Sequence, residues 1–182
     1  MLRTDARKIL AAALVNLMKK HTIDEITVEK ITAKASCSRT TFYRYFQDKY
    51  DLMNWIYADK FHQIVKAYPG PKNRDNVIRA TLIFLKENQE YFQSVMKYRG
   101  QNSFDIFVEK LIMEYYLNEV MQVSSLDELP KDVSFALSVF VCGLLRTGFI
   151  WLEKDEGTED IDLLMQYSRE SVPQILVPYL KE

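Results

Sequence analysis

Apolar side chains return every three to four residues along nearly all of this chain, and nowhere does a strand-like alternation persist over five residues. That periodicity is the mark of amphipathic α-helices. Helix breakers are correspondingly scarce, with 5 Gly and 5 Pro in 182 residues. The clearest punctuation is Pro69-Gly70-Pro71, which ends a helix opening near Asp48. Beyond it the pattern predicts helices at about 73–89, 90–98, 104–121, 132–153 and 160–171, with loops at Leu126–Pro130 and Glu156-Gly157. Pro173 and Pro178 leave only a short terminal piece. The fold class that follows is all-α.

The first fifty residues are organised differently from the rest. Ile9, Leu10, Ala13, Leu14 and Leu17 line one side of a helix running from Arg3 to Met18. Thr27 is placed to cap a second, short helix, with Glu29 complementing its dipole and Ile31 and Ala35 on its buried side. Ser36-Cys37-Ser38 makes a tight polar turn, and Ser38 caps a third helix, Arg39 to Phe46. Asp48 caps the fourth, with Asp51 three residues on as an acidic form of the capping box. Three short helices with a turn before the third form a helix-turn-helix, whose last helix enters the DNA major groove. Charge agrees: residues 1–50 carry ten Lys/Arg against five acids, leaving fourteen against twenty for the remainder. A basic head on an acidic body puts any phosphate-binding surface at the N-terminus.

Helical geometry divides the labour within the third helix. At ~100° per residue, Phe42 and Phe46 share the face that packs on the preceding helices. Thr40, Thr41 and Arg44 then look the other way, with Tyr43 and Tyr45 on the flanks. Arginine pairs bidentately with guanine, and threonine offers a hydroxyl or methyl to a base edge. Flanking tyrosines suit phosphates, which set register without reading sequence. Lys49 adds a cation at a helix start. On this pattern alone, a short amphipathic helix with a solvated polar face is an equal reading. Cys37, beside Lys34 and Arg39, is either a thiol of lowered pKa or a small residue filling the turn.

The run from Thr27 to Leu52 resembles the DNA-binding domain of the tetracycline-repressor (TetR) family. The likeness rests on Thr41-Phe42-Tyr43-Arg44-Tyr45-Phe46, followed by Lys49 and Leu52, together with the opening Thr27 and the Ser38 cap. It covers roughly residues 3–60. Ser36 stands where the family usually has glycine, and Cys37 where it often has a small aliphatic residue. The resemblance implies phosphate contacts from Thr27, Tyr43 and Lys49, and base-proximal roles for Arg39, Thr40, Thr41 and Arg44. The expected DNA-facing set is thus Thr27, Ser38, Arg39, Thr40, Thr41, Tyr43, Arg44, Tyr45 and Lys49.

The division expected is a helix-turn-helix domain over residues 1–48 and a helical regulatory and dimerisation domain over 49–182. Residues 132–153 are apolar nearly all round, and Ala136, Gly143 and Thr147 form a stripe of small residues. Either this is the central helix of a monomeric bundle, or it packs against a second copy. A helix-turn-helix normally reads two half-sites, which favours a homodimer. The resemblance implies the same, and adds a small-molecule effector held by the body. The segments Gly143-Leu144-Leu145-Arg146 and Trp151-Leu152-Glu153 further resemble a TetR subgroup that includes dihydroxyacetone-kinase regulators. Aromatic residues at 84, 91, 92, 98, 104, 107, 115 and 116 serve either as core or as pocket lining. Two cysteines and two unpartnered histidines supply no metal or catalytic constellation, so no enzyme activity, cofactor or metal is expected. Arg146 interrupts the longest apolar run, and no signal peptide is evident, so a cytoplasmic protein without a membrane partner is expected. The function expected is a repressor binding a palindromic double-stranded operator. The rival reading is a helical protein-interaction adaptor that does not bind DNA.

Overall fold

A computed structural model describes residues 5–100, 102–124, 128–154 and 160–180. The loop expected at Glu156-Gly157, the first three residues of the loop at 126–130 except Glu128, and the start of the first helix at Arg3 lie outside the described residues. Among the described residues there are ten α-helices: α1 Ala6–Met18, α2 Val28–Lys34, α3 Arg39–Tyr45, α4 Lys49–Ala67, α5 Arg74–Glu87, α6 Gln89–Val95, α7 Phe104–Ser124, α8 Lys131–Glu153, α9 Ile161–Glu170 and α10 Val177–Leu180. Short 3-10 turns precede α5 (Pro71–Asn73) and α10 (Gln174–Leu176). The all-α expectation holds, with each expected helix found within a few residues of its expected bounds.

The helices gather into two compact units. The first takes the described residues up to Lys60 together with Asn88–Phe107. Its centre is Leu10 and Leu14 of α1, Ile31 of α2, Phe42 of α3 and Leu52 of α4, each fully buried. Burying a side chain of this size contributes about 1.5–3 kcal/mol, so the apolar stripe on each short helix is what makes these helices stable. Residues 88–107 complete the unit through an aromatic cluster. Tyr57 meets Phe92 and Phe104 edge-on at ring separations of 6.1 and 5.4 Å. Tyr98 stacks on Tyr50 at 4.4 Å, and the Asn54 side-chain amide donates to the Asn102 carbonyl at 3.2 Å. Of the mid-chain aromatics, Tyr91, Phe92 and Phe104 are therefore plain core here.

The second unit takes Phe61–Glu87 and the described residues from Val108 onward. Arg169 of α9 donates to Asp75 of α5 at 2.8 Å, and Arg79 of α5 pairs with Asp162 of α9, so two ion pairs of opposite sense clamp these helices. Leu137, Val141 and Leu152 of α8 are buried with Val120 of α7 and Met165 of α9. The rest of α8 departs from a fully enclosed helix. Phe135 is 73 % exposed, Val139 57 % and Ile150 40 %. Gly143 lies between them with nothing within 4 Å of where a Cβ would sit. Apolar composition all round a helix says that each face seeks cover, and the described residues cover only one face of this one.

Candidate nucleic-acid interface

The turn between α2 and α3 is built by backbone hydrogen bonds. Cys37 N–H donates to the Thr32 carbonyl at 3.0 Å and Ser36 N–H to the Ala33 carbonyl at 3.2 Å, the paired bonds of a Schellman ending. Such an ending needs a left-handed residue, and Ser36 supplies it at φ 51°. Serine takes that conformation at a cost that glycine avoids. Cys37 is half-buried and its thiol donates to the Ala35 carbonyl at 3.4 Å, as a residue filling the turn does. Ser38 then caps α3, accepting from Thr41 N–H at 3.0 Å. Its hydroxyl also lies 2.9 Å from that of Thr41.

With the turn set, the faces of α3 fall as helical spacing requires. Phe42 is 0 % and Phe46 3 % exposed; their rings meet at a tilt, 5.8 Å apart, and Phe46 meets Trp55 edge-on at 5.6 Å. Arg39, Thr40, Tyr43, Arg44 and Tyr45 are exposed, and Thr41 is half-buried beside the Ser38 cap. Arg44 has no hydrogen-bond or ion-pair partner among the described residues. Tyr43 and Tyr45 are 50 % and 41 % exposed, and the Tyr43 ring meets Phe42 edge-on at 5.4 Å. Thr27, at the start of α2, accepts from Lys30 N–H at 3.3 Å as its cap.

Two expected contacts come with local obligations that the sequence did not announce. The Lys49 ammonium donates to the carbonyls of Ile26 at 2.8 Å and Asp24 at 3.1 Å, and it lies 5.1 Å from the Tyr50 ring. Two of its three N–H groups are thereby committed to the segment ahead of α2. Tyr50 strengthens the same join by donating to Asp24 at 3.1 Å. Burial raises the Tyr50 phenol above its ordinary value, with further help from hydrogen bonding to Tyr98 and Asp24, so it remains a neutral donor. The second obligation is on Arg39, which is paired with Glu29 at 2.6 Å and sits 5.9 Å over the Tyr43 ring. The contact with Tyr43, and secondarily the charge of Glu29, raises the Arg39 guanidinium further above its already high value. Glu29 is ten residues ahead of Arg39, and no local periodicity marks such a pair. At the start of α4, Asp48 accepts from Tyr50 and Asp51 N–H groups, both at 2.8 Å. The Asp51 carboxylate reaches past Asp48 to Gln47 N–H at 2.9 Å, one residue beyond the partner a capping box would use.

The candidate interface is therefore a strip of exposed polar and aromatic side chains held on a buried phenylalanine pair. The sequence profile of the bacterial regulatory proteins of the tetR family matches residues 9–55. That of a transcriptional regulator C-terminal region from the same family matches residues 72–168, more than half of the chain. The HTH-type dhaKLM operon transcriptional activator DhaS of Lactococcus lactis is 32 % identical over 89 residues, covering 49 % of this chain and 48 % of that protein. The chain thus spans about half the length of this curated relative. Among solved structures, a dihydroxyacetone kinase operon activator DhaS superposes with a TM-score of 0.66 at 21 % identity, over 96 % of each chain. A tetR-family transcriptional regulator from Streptomyces coelicolor gives 0.63 at 18 % identity, over 93 % of this chain and 80 % of that one. These two structural likenesses establish the fold, and the profiles establish the lineage: the chain belongs to the TetR family of bacterial transcription regulators.

Proposed function

We propose that this protein is a sequence-specific DNA-binding transcription regulator that grips a palindromic operator as a homodimer. The observation that carries the reading is α3 itself, whose inner face is locked by Phe42 and Phe46 while Thr40, Tyr43, Arg44 and Tyr45 stand exposed. Residues 1–48 form the DNA-binding domain, joined in its contacts by Lys49 at the start of α4, and residues 49–182 otherwise serve dimerisation and sensing. Thr27, Tyr43, Tyr45 and the remaining N–H of Lys49 meet phosphates. Arg39, Thr40, Thr41 and Arg44 approach bases, with Ser38 fixing the start of the helix. The adaptor reading gives no reason for an exposed arginine, without a partner among the described residues, flanked by two phenols on a basic unit. Binding to random duplex DNA under increasing salt separates the two. A regulator loses affinity steeply as counterions compete, and an adaptor shows almost no binding at any salt.

Dimerisation is supported by the uncovered face of α8. This is the one helix among the described residues long and apolar enough to cross a membrane by length and composition. In a TetR-family chain a second copy is the partner that covers it, with Tyr167 of α9, 51 % exposed, at the margin. Two recognition helices then have to stand about 34–36 Å apart, or a multiple of that, to occupy both half-sites. The named Lactococcus relative is an activator, whereas an operator overlapping a promoter gives repression. We propose repression for this chain, and a reporter fused to the selected operator decides the sign. A cytoplasmic location goes with this role. A small molecule bound by the body would act through α4, whose residues belong in turn to both compact units. Its leverage is limited to its differential affinity for the two arrangements, typically about 1–3 kcal/mol.

A further inference from the structure

The second compact unit contains a cavity of about 310 Å³, at the small end of the roughly 300–1,000 Å³ usual for ligand sites. Its wall has two characters. Lys72, Arg74 and Arg169 line it against a single acid, Asp75. Tyr116, Phe140 and Val172 supply an apolar side, and Tyr116 meets Phe140 edge-on at 6.2 Å, so this side is held in place.

The polar side carries more positive charge than its surroundings neutralise. Asp75 is taken by Arg169 at 2.8 Å. Arg74 donates one N–H to the Leu180 carbonyl, out of the five a guanidinium carries. Neither Arg74 nor Lys72 has an ion-pair partner among the described residues. Glu119 is within reach of the Arg74 charge but is buried, with one carboxylate oxygen unpaired. Burial pushes its carboxyl up, and Arg74 only partly offsets this, so Glu119 is a weak counter-charge.

We propose that this cavity binds a small organic carboxylate with a compact apolar body. Arg74 and Lys72 take the carboxylate, and Tyr116, Phe140 and Val172 cover the body. The planar fork of arginine matches a carboxylate in two parallel hydrogen bonds, and half-buried Arg74 gains an acceptor for donors that are otherwise unused. The cavity's volume suits a compact ligand, and its apolar side of Phe140 and Val172 offers no hydrogen-bond partner to the remaining oxygens of a free phosphate. The site deepens the sensing role proposed above and rests on it only for the consequence at DNA; binding itself stands apart from it.

The full chain is titrated with benzoate and hexanoate, with benzamide and hexanamide as neutral counterparts, and with inorganic phosphate. Calorimetry and thermal shift are the readouts, and operator affinity is followed in parallel. The carboxylates bind and raise the melting temperature, while the amides and phosphate bind at least about tenfold more weakly. Lys72→Gln and Arg74→Gln each weaken carboxylate binding by roughly tenfold and leave amide binding unchanged. Arg74 also holds Leu180, so Lys72→Gln, at an exposed position, carries the test if Arg74→Gln does not fold. Amides or phosphate binding as tightly as the carboxylates overturns the proposal, as does wild-type carboxylate affinity in Lys72→Gln. A chain that binds carboxylates but no DNA supports the site and refutes the regulator reading instead.

Discussion

The recognition helix α3 and the body helix α8 both leave a face uncovered, but the two faces are chemically opposite. On α3 the exposed side chains are Arg39, Thr40, Tyr43, Arg44 and Tyr45, all of them carrying polar groups. On α8 they are Phe135, Val139 and Ile150, spaced along a stripe with the bare Gly143 between them. A polar face in water is already satisfied and loses little by waiting, so it suits a partner that comes and goes. An apolar face in water carries a standing cost of about 25 cal/mol for each Å² left wet, so it suits a partner that stays. The contrast is what the proposed roles require: a transient contact with DNA on α3 and a durable contact with a second copy on α8.

The comparison breaks most easily at Gly143. Gly143→Arg places charge and bulk on the face of α8 proposed to meet a second copy, and among the described residues nothing lies within 4 Å of where its Cβ would sit. The chain should fold, sediment as a monomer, and lose roughly 10²–10⁴-fold in operator affinity as two-handed binding is lost. A variant that stays dimeric moves the interface off this face.

Arg44→Ala tests the other side. It removes an exposed guanidinium from α3 and should cost about 1–3 kcal/mol on the preferred operator, relaxing one base pair in each half-site. Competition binding against random duplex is the check. An equal loss on both DNAs would make Arg44 a phosphate contact.

Lys49→Ala sharpens the boundary between contact and scaffold. Because its ammonium bridges the Ile26 and Asp24 carbonyls, the substitution should lower folding stability by about 1 kcal/mol. If the remaining N–H meets a phosphate, the salt slope also falls by about one, on every DNA sequence alike. Denaturant unfolding and a salt series separate the two effects. An unchanged slope with lost stability would make Lys49 purely structural.

Ser36→Gly should be the smallest change and the only favourable one. Relief of the left-handed serine is worth about 1–2 kcal/mol, and the extra freedom of glycine in the unfolded chain takes back about 0.5–1 kcal/mol. A rise of a few degrees in melting temperature with unaltered DNA affinity is expected. A drop would mean that the Ser36 side chain contributes something beyond its backbone angle.

How legible these regions were differs for a physical reason. Phe42 and Phe46 could be assigned to the buried face from spacing alone, and Thr27, Ser38 and Asp48 as caps, because each depends on neighbours within four residues. At Ser36 the sign came from the family resemblance, which usually has glycine there, and the structure shows the left-handed angle behind it. The Glu29–Arg39 pair, the Lys49 bridge and the Tyr50–Tyr98 stack join residues 10 to 48 apart, and no periodic pattern marks which distant groups meet.

What the sequence determined by itself is the set of helices, their caps, the basic head and the polar strip on α3, all of them consequences of short-range geometry. Tertiary structure decided which part of α8 one chain can bury and that residues 88–107 join the unit of the DNA-binding helices. It also decided that Lys72, Arg74 and Arg169 share a cavity with Phe140. Those outcomes depend on the packing of elements far apart in the chain, where burial of apolar area selects the arrangement and charge has to follow.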